Sequence, residues 1–372
     1  MGNVARTGPL GSLASEPAPK VKAAVAGVLD LFKDRQVVAL GDFHGLAQEE
    51  AFYSVLVRDP RFAEQVGNVV VEFGGSAAQD IINRYVNGED VAFTELRRVW
   101  TDVVGWLPGP FPLGYVNFFA NVRAANLKLP AEQRIRVWLG DPKIDWTRIN
   151  SFQDLQSILA RRDENVASII VDEILKKHKK TLLIMGTAHL MRMASGPGVI
   201  PAPPNVVAKL GESYANALAV VSPFTGYIEP ECNAKVVAWA RDWPVPAVAG
   251  PIEGTSLKSE LQLQGCNYLS PGQVEQMKKM FASMQWFGPG KPPDMVSSEI
   301  DMRSGMKSDA ILYLGPPDTL TESPDEPSIY FDADYFKEMN RRAQCCVPTS
   351  YALDWDNIVQ ENSVVPREFQ PR

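Results

Sequence analysis

The sequence predicts an α/β fold: a central, mostly parallel sheet flanked by helices, with a C-terminal extension. Three observations carry this reading. Short apolar runs recur near 36–41, 68–73, 135–139 and 181–186, and the cores of the first and last hold no charge, as strands buried on both faces do. Stretches with helical spacing separate these runs, which calls for crossover connections between parallel strands. Finally, two runs break into the same phrase, Gly41-Asp42-Phe43-His44 and Gly186-Thr187-Ala188-His189. In each, a glycine allows a tight exit from the strand.

At 372 residues and 45% hydrophobic, the chain can bury one large core. It divides into a disordered or linker N-terminus (1–20), a single α/β domain (21–330), and a C-terminal helix and tail (331–372). A net charge of −7, with no basic cluster beyond Lys176 to Lys180, argues against a nucleic-acid partner. No stretch approaches the roughly 18 consecutive apolar residues of a membrane span. Met1 to Lys20 lack the apolar core of an intact signal peptide. As it stands the chain reads as cytoplasmic; with a leader trimmed away it would be periplasmic or secreted. Cys232, Cys266, Cys345 and Cys346 form neither a zinc pattern nor a disulfide framework. They read as buried free thiols, the adjacent pair being poorly placed to bridge.

Taken in order, Val21 to Lys33 has Ala, Val and Leu at helical spacing. The strand at 36–41 follows and leads to His44. Leu46 to Arg58 is a helix with the stripe Phe52, Val55 and Leu56, closed by Asp59-Pro60, with Glu49 near its boundary. The strand Asn68 to Phe73 delivers Glu72 ahead of Gly74-Gly75. Ile81 to Gly88 and Glu95 to Val104 read as helices. The proline-rich aromatic connection 106–115 reads either as a pocket wall or as packed loop. Ile135 to Leu139 is a strand ending at Asp141. A long helix then opens at Ser151, with Asp154 completing a capping box. Its stripe is Leu155, Ile158, Leu159, Val166, Ile169 and Ile170, and Arg162 interrupts it. A guanidinium on a core-facing stripe requires a carboxylate or ligand, because a buried unpaired charge is costly. The strand 181–186 ends in the second Gly-x-x-His. Beyond Ser195, Ser213 to Val221 and Ala310 to Leu314 read as strands, Ser270 to Met284 and Asp332 to Arg342 as helices, and 343–372 as a docked or loose tail.

Four strands thereby deliver His44, Glu72, Asp141 and His189 to one edge of the sheet, where open α/β sheets bind ligands. The third histidine, His178, lies among lysines at a solvated helix end. No Gly-x-Ser-x-Gly elbow and no phosphate-binding glycine loop occurs.

These motifs resemble the superfamily of erythromycin esterases, ChaN-like proteins and Tiki/TraB proteins. Gly41-Asp42-Phe43-His44-Gly45 is similar to the esterase branch's Gly-Glu-x-x-His-Gly, one residue shorter and with aspartate for glutamate. Val69-Val70-Val71-Glu72 matches its glutamate-ended strand, and Arg162-Asp163-Glu164-Asn165-Val166-Ala167 its Arg-Asp/Asn-x-x-Met-Ala helix. The resemblance covers roughly residues 35–195. It implies a hydrolase of the erythromycin esterase type, acting on a small-molecule ester, lactone or amide. The catalytic residues would be His44, Glu72, Arg162 and His189, supported by Asp42, Glu49, Asp141 and Asp163. His44 would be the general base on water, oriented by Glu72 or Asp42, with Arg162 or His189 stabilising the oxyanion. This version requires no cofactor. Two alternatives stand beside it. One is a Tiki-type metal-dependent hydrolase or peptidase using His44, Glu72 and His189 as ligands of a divalent metal. The other is a ChaN-like haem or iron binder without catalysis, with Tyr115, Phe118 and Phe119 as pocket walls.

Overall fold

The computed structural model describes residues 16–105, 111–190, 192, 205–261, 266 and 308–346. Its described strands are β1 (Lys20–Ala23), β2 (Val37–Asp42), β3 (Asn68–Gly75), β4 (Arg136–Asp141), β5 (Thr181–Gly186), β6 (Leu218–Phe224), β7 (Ala247–Gly250) and β8 (Ala310–Tyr313). They form one sheet in the order β1-β7-β8-β6-β2-β5-β3-β4. Pairing is parallel from β8 through β4 and antiparallel at the β1-β7-β8 edge. The fold is therefore α/β with a mostly parallel sheet, as the apolar runs predict.

Alternate residues of those runs serve two separate cores, which is why they show no polar face. Val38, Leu40, Val69, Val71, Leu182 and Ile184 pack under the helices Ala47–Arg58, Gln79–Val86 and Leu113–Asn126. Val37, Ala39, Val70, Leu183 and Met185 pack under Arg162–Ile169 and Val206–Leu210 on the other face. The strands β2, β5, β3 and β4 stand side by side. Asp42 pairs in register with Gly186, and Gly75 with Asp141. Their carboxyl ends are thus levelled along one rim.

Several elements differ from expectation. The predicted helix from Val21 is instead strand β1 followed by a helix, Ala24–Leu31. Its Lys-Val-Lys-Ala start alternates with period two and pairs with the edge of β7. The long helix from Ser151 is two helices, Phe152–Leu159 and Arg162–Ile169, although the Ser151/Asp154 capping box is present. Its stripe serves two cores. Leu155, Ile158 and Leu159 pack with Val104, Ile144 and Trp146, whereas Val166 and Ile170 pack on the sheet. The stretch Glu95 to Val104 likewise splits, into Phe93–Leu96 and Arg98–Thr101. The strand expected at Ser213 starts only at Leu218, after a 3-10 turn over Glu212–Ala217. The helix expected over Ser270 to Met284 lies outside the described residues. At the C-terminal end, the helix expected over Asp332 to Arg342 is Ala333–Cys346, which buries Tyr335, Met339, Arg342, Ala343 and Cys346.

The four cysteines are not free thiols. Cys232 bonds Cys266 across a Cα separation of 6.0 Å, and Cys345 bonds Cys346. The first pair meets because Glu229 N–H donates to the Cys266 carbonyl at 3.2 Å, carrying the start of helix Pro230–Trp239 onto that residue. Among the described residues, no helix is long and apolar enough to cross a membrane.

Candidate active site

Glu72, at the carboxyl end of β3, is the centre of the rim. One of its oxygens, Oε1, accepts from Arg162 Nη2, and the other, Oε2, accepts from the Gly186 backbone N–H. His189 Nε2 lies 3.6 Å from Oε1. The place where a Gly186 Cβ would stand is 2.9 Å from His44 Nε2 and 3.2 Å from Glu72 Oε2. Glycine at 186 thus lets the first imidazole and the carboxylate close over the end of β5. Burial alone would push the Glu72 carboxyl up, but the charges of Arg162, His189 and His44 and the Gly186 N–H hold it well below the usual carboxylate range.

Arg162 finds the carboxylates its position demands. Nε donates to Asp141 Oδ1 at 2.8 Å while Nη2 holds Glu72. Asp141 Oδ2 also accepts from Val104 N–H and, at 3.2 Å, from Gly105 N–H. A Cβ on Gly105 would lie 1.7 Å from Arg162 Nη2, so the 104–105 backbone wraps the guanidinium directly. Its side chain is only 11% exposed. With two donors committed to carboxylates, Arg162 bridges Glu72 and Asp141 and braces the centre.

The two histidines are held in the same way from opposite sides. His189, in the 3-10 turn Thr187–Leu190, directs Nδ1 at Asp163 Oδ1, 2.9 Å away. Asp163 is anchored in turn by Val206 N–H at 3.0 Å. His44 Nδ1 meets Asp42 Oδ2 at 2.7 Å. Burial disfavours the charged His44 ring, but its hydrogen bond to Asp42 and the charges of Asp42 and Glu72 prevail over it and over Arg162. Its pKa rises from 6.5 to about 9. The ring keeps 41% of its side-chain surface open, which weakens the burial penalty. The charges around it thus favour the protonated His44 ring over the neutral one.

That pairing has a consequence for stability. The folded value lies above the ordinary one, so the contribution is whole below about pH 6.5 and is lost as pH rises through about 9. The unfolding free energy of wild type minus His44→Gln, from denaturant titrations between about pH 6 and about pH 10, is expected to shrink with rising pH. A difference that grows would contradict the pairing.

Glu49 lies in the first turn of Ala47–Arg58, fully buried, and accepts the Phe43 backbone N–H at 2.9 Å. Burial and the Asp42 charge push its carboxyl well above the usual range. Its position thus secures the loop that carries His44. Sequence reasoning missed a second support, the segment 321–326. Its backbone is laced to the same loops by Ala47 N–H to Thr321 O (3.1 Å), Ser323 N–H to Gly45 O (2.8 Å) and Leu113 N–H to Pro324 O (2.8 Å). These are main-chain bonds, which leave no side-chain signature.

The three aromatic residues expected as haem walls lie within the core. Tyr115, Phe118 and Phe119 are at most 1% exposed and pack around Phe73 inside the core. The metal set fits only in part. Both histidines place Nδ1 on a carboxylate, which leaves each Nε2 open, but both Glu72 oxygens are engaged, by the Arg162 guanidinium and the Gly186 N–H. Among the described residues, no group of three or more His, Cys, Asp or Glu is arranged to hold a metal ion.

Fold and contacts together define an α/β chain with a His–Glu–His centre, braced by an arginine, at the ends of four adjacent parallel strands. No family model and no curated protein matches it. Among solved structures it is similar to the type III effector HopBA1, at 12% identity and TM-score 0.34, covering 57% of this chain and 90% of that one. It is similar to RRSP, a MARTX toxin effector domain from Vibrio vulnificus CMCP6, at 18% identity and TM-score 0.36, covering 55% of this chain and 36% of that one. A Bacillus cereus protein matches at 10% identity and TM-score 0.44, over 80% of this chain and 94% of that one. At this depth of similarity no activity transfers from any of them.

Proposed function

We propose that the chain is a hydrolase of the erythromycin esterase-like type, using a strand-end histidine to activate water against an ester, lactone or amide carbonyl. The observation that carries this reading is the Glu72 carboxylate, shared between Arg162 and the Gly186 N–H, with both histidines closing on it. Such a cluster of perturbed, mutually oriented acids and bases at the carboxyl rim of a parallel sheet suits acid–base chemistry.

The two histidines take different roles. Asp163 takes up Nδ1 of His189, so Nε2 is the atom through which this ring acts as base once its proton has left. In the hydrolytic step, Nε2 takes a proton from water, and the water oxygen bonds to the carbonyl carbon. The carbonyl π pair moves to its oxygen, where the His44 imidazolium offsets the new charge. As the tetrahedral species collapses, the carbon–leaving-group bond breaks and the His44 Nε2 proton passes to the departing oxygen or nitrogen. Arg162 and Asp141 keep Glu72 ionised and in place throughout. The engaged Glu72 oxygens favour this metal-free version over the Tiki-type alternative.

Gly186→Ala tests the geometry. Its methyl group would force His44 Nε2 or Glu72 aside by a few tenths of an ångström or more. The variant is expected to fold yet lose on the order of 100-fold in kcat/KM on a panel of p-nitrophenyl esters. Full activity in the folded variant would count against a site built across residue 186.

A further inference from the structure

Two side chains unused by this mechanism converge on the carboxylate that holds His44. Tyr53, on helix Ala47–Arg58, donates its hydroxyl to Asp42 Oδ1 at 2.8 Å. Tyr115, on helix Leu113–Asn126, donates to Asp42 Oδ2. His44 Nδ1 shares that same Oδ2 at 2.7 Å and lies 3.3 Å from the Tyr115 hydroxyl. Both tyrosines are completely buried. The Tyr115 ring is stacked on Phe73 with centroids 4.1 Å apart and packs against Phe111 at 5.5 Å. Burial and the Asp42 charge push both phenols well up, so they remain donors. A plain core position would take phenylalanine. A buried hydroxyl must find an acceptor, and these two, from separate helices, find one carboxylate.

We propose that Tyr53 and Tyr115 are positioning residues for His44: by fixing Asp42 and sharing its negative charge, they set the ring's tautomer and how firmly it holds its proton. Three donors divide one carboxylate, so each receives less of it. Among the described residues, the other charged groups acting on His44 include Glu72 from β3 and Arg162 from Arg162–Ile169, and Glu49 reaches the cluster through Asp42. Neither tyrosine touches substrate. Both act through Asp42. The consequence for catalysis rests on the hydrolase reading above, but the arrangement itself does not.

The test is a nitrogen-15 NMR titration of the imidazoles in the full chain. It is tractable because the sequence has only three histidines, assigned from His44→Gln, His178→Gln and His189→Gln. In Tyr115→Phe, Oδ2 belongs to His44 alone, so the His44 midpoint is expected to rise by about one pH unit, a roughly tenfold tighter proton. Tyr53→Phe frees the other oxygen and should raise it less. The His178 and His189 midpoints should stay where they are. A His44 midpoint within about 0.2 unit of wild type in folded Tyr115→Phe overturns the proposal. Should that variant not fold, 3-fluorotyrosine incorporated throughout the unmutated chain strengthens the donors while keeping the packing. The His44 midpoint should then fall, and an unmoved midpoint overturns the proposal equally. No substrate is needed. A shifted midpoint in a protein that cleaves no ester or amide therefore upholds the clamp and removes the hydrolase reading alone.

Discussion

Replacing Arg162 with leucine is expected to lower the unfolding free energy by about 3–5 kcal/mol, the usual cost of removing one partner from a buried ion pair. Two carboxylates lose their cation at once. Glu72 keeps the Gly186 N–H, and Asp141 keeps those of Val104 and Gly105, but both charges stay buried. Protonating them would relieve the charge, so the loss should be smaller in acid. Arg162→Lys is expected to recover only part, since one ammonium cannot serve both directions of the planar fork. The slot shaped by Gly105 also fits a flat group rather than a tetrahedral one. Urea unfolding followed by fluorescence measures the effect. A loss below about 1 kcal/mol, the level of an exposed pair, would mean that this arginine does not brace the centre.

The second large effect concerns the base. His189→Ala is expected to cost roughly 10²–10⁴-fold in kcat on any hydrolysed substrate, with a much smaller change in KM. Asp163→Asn should reproduce part of that loss. The amide can present its N–H to Nδ1, reversing the tautomer and taking the lone pair away from the Nε2 that faces Glu72. Steady-state kinetics on the ester panel reads both variants. Equal activity in His189→Ala and wild type would remove the proposed base.

Much of this centre was legible from one-dimensional pattern. Buried strands at 37–42, 68–75, 136–141 and 181–186 show as apolar runs because both faces of the sheet are covered. Parallel connections then leave little freedom about where His44, Glu72, Asp141 and His189 arrive. Arg162 could be directed at a carboxylate or ligand because an unpaired charge on an apolar stripe is costly. Other features leave no such trace. Tyr53 and Tyr115 sit at core positions where an aromatic is ordinary, and only coordinates reveal their hydroxyls meeting at Asp42. Strand β7 is four residues, Ala-Val-Ala-Gly, too short and small to stand out from a loop. The bond between Cys232 and Cys266 depends on a turn 34 residues from its partner. The electrostatics around His44 also leave no trace in sequence: an unperturbed imidazole is a base near neutrality, whereas the charges of Asp42 and Glu72 favour the protonated form of this ring.

The central claim is that two histidines and a glutamate hydrolyse an ester or amide bond without a metal. It is tested most directly by one pair of rate measurements on a single preparation, before and after exhaustive chelation, with metal content determined in both samples and His189→Ala run alongside. The expected result is an unchanged wild-type rate in the metal-free sample and a rate at least about 100-fold lower in the variant. A wild-type rate abolished by chelation and restored by a divalent cation would contradict it.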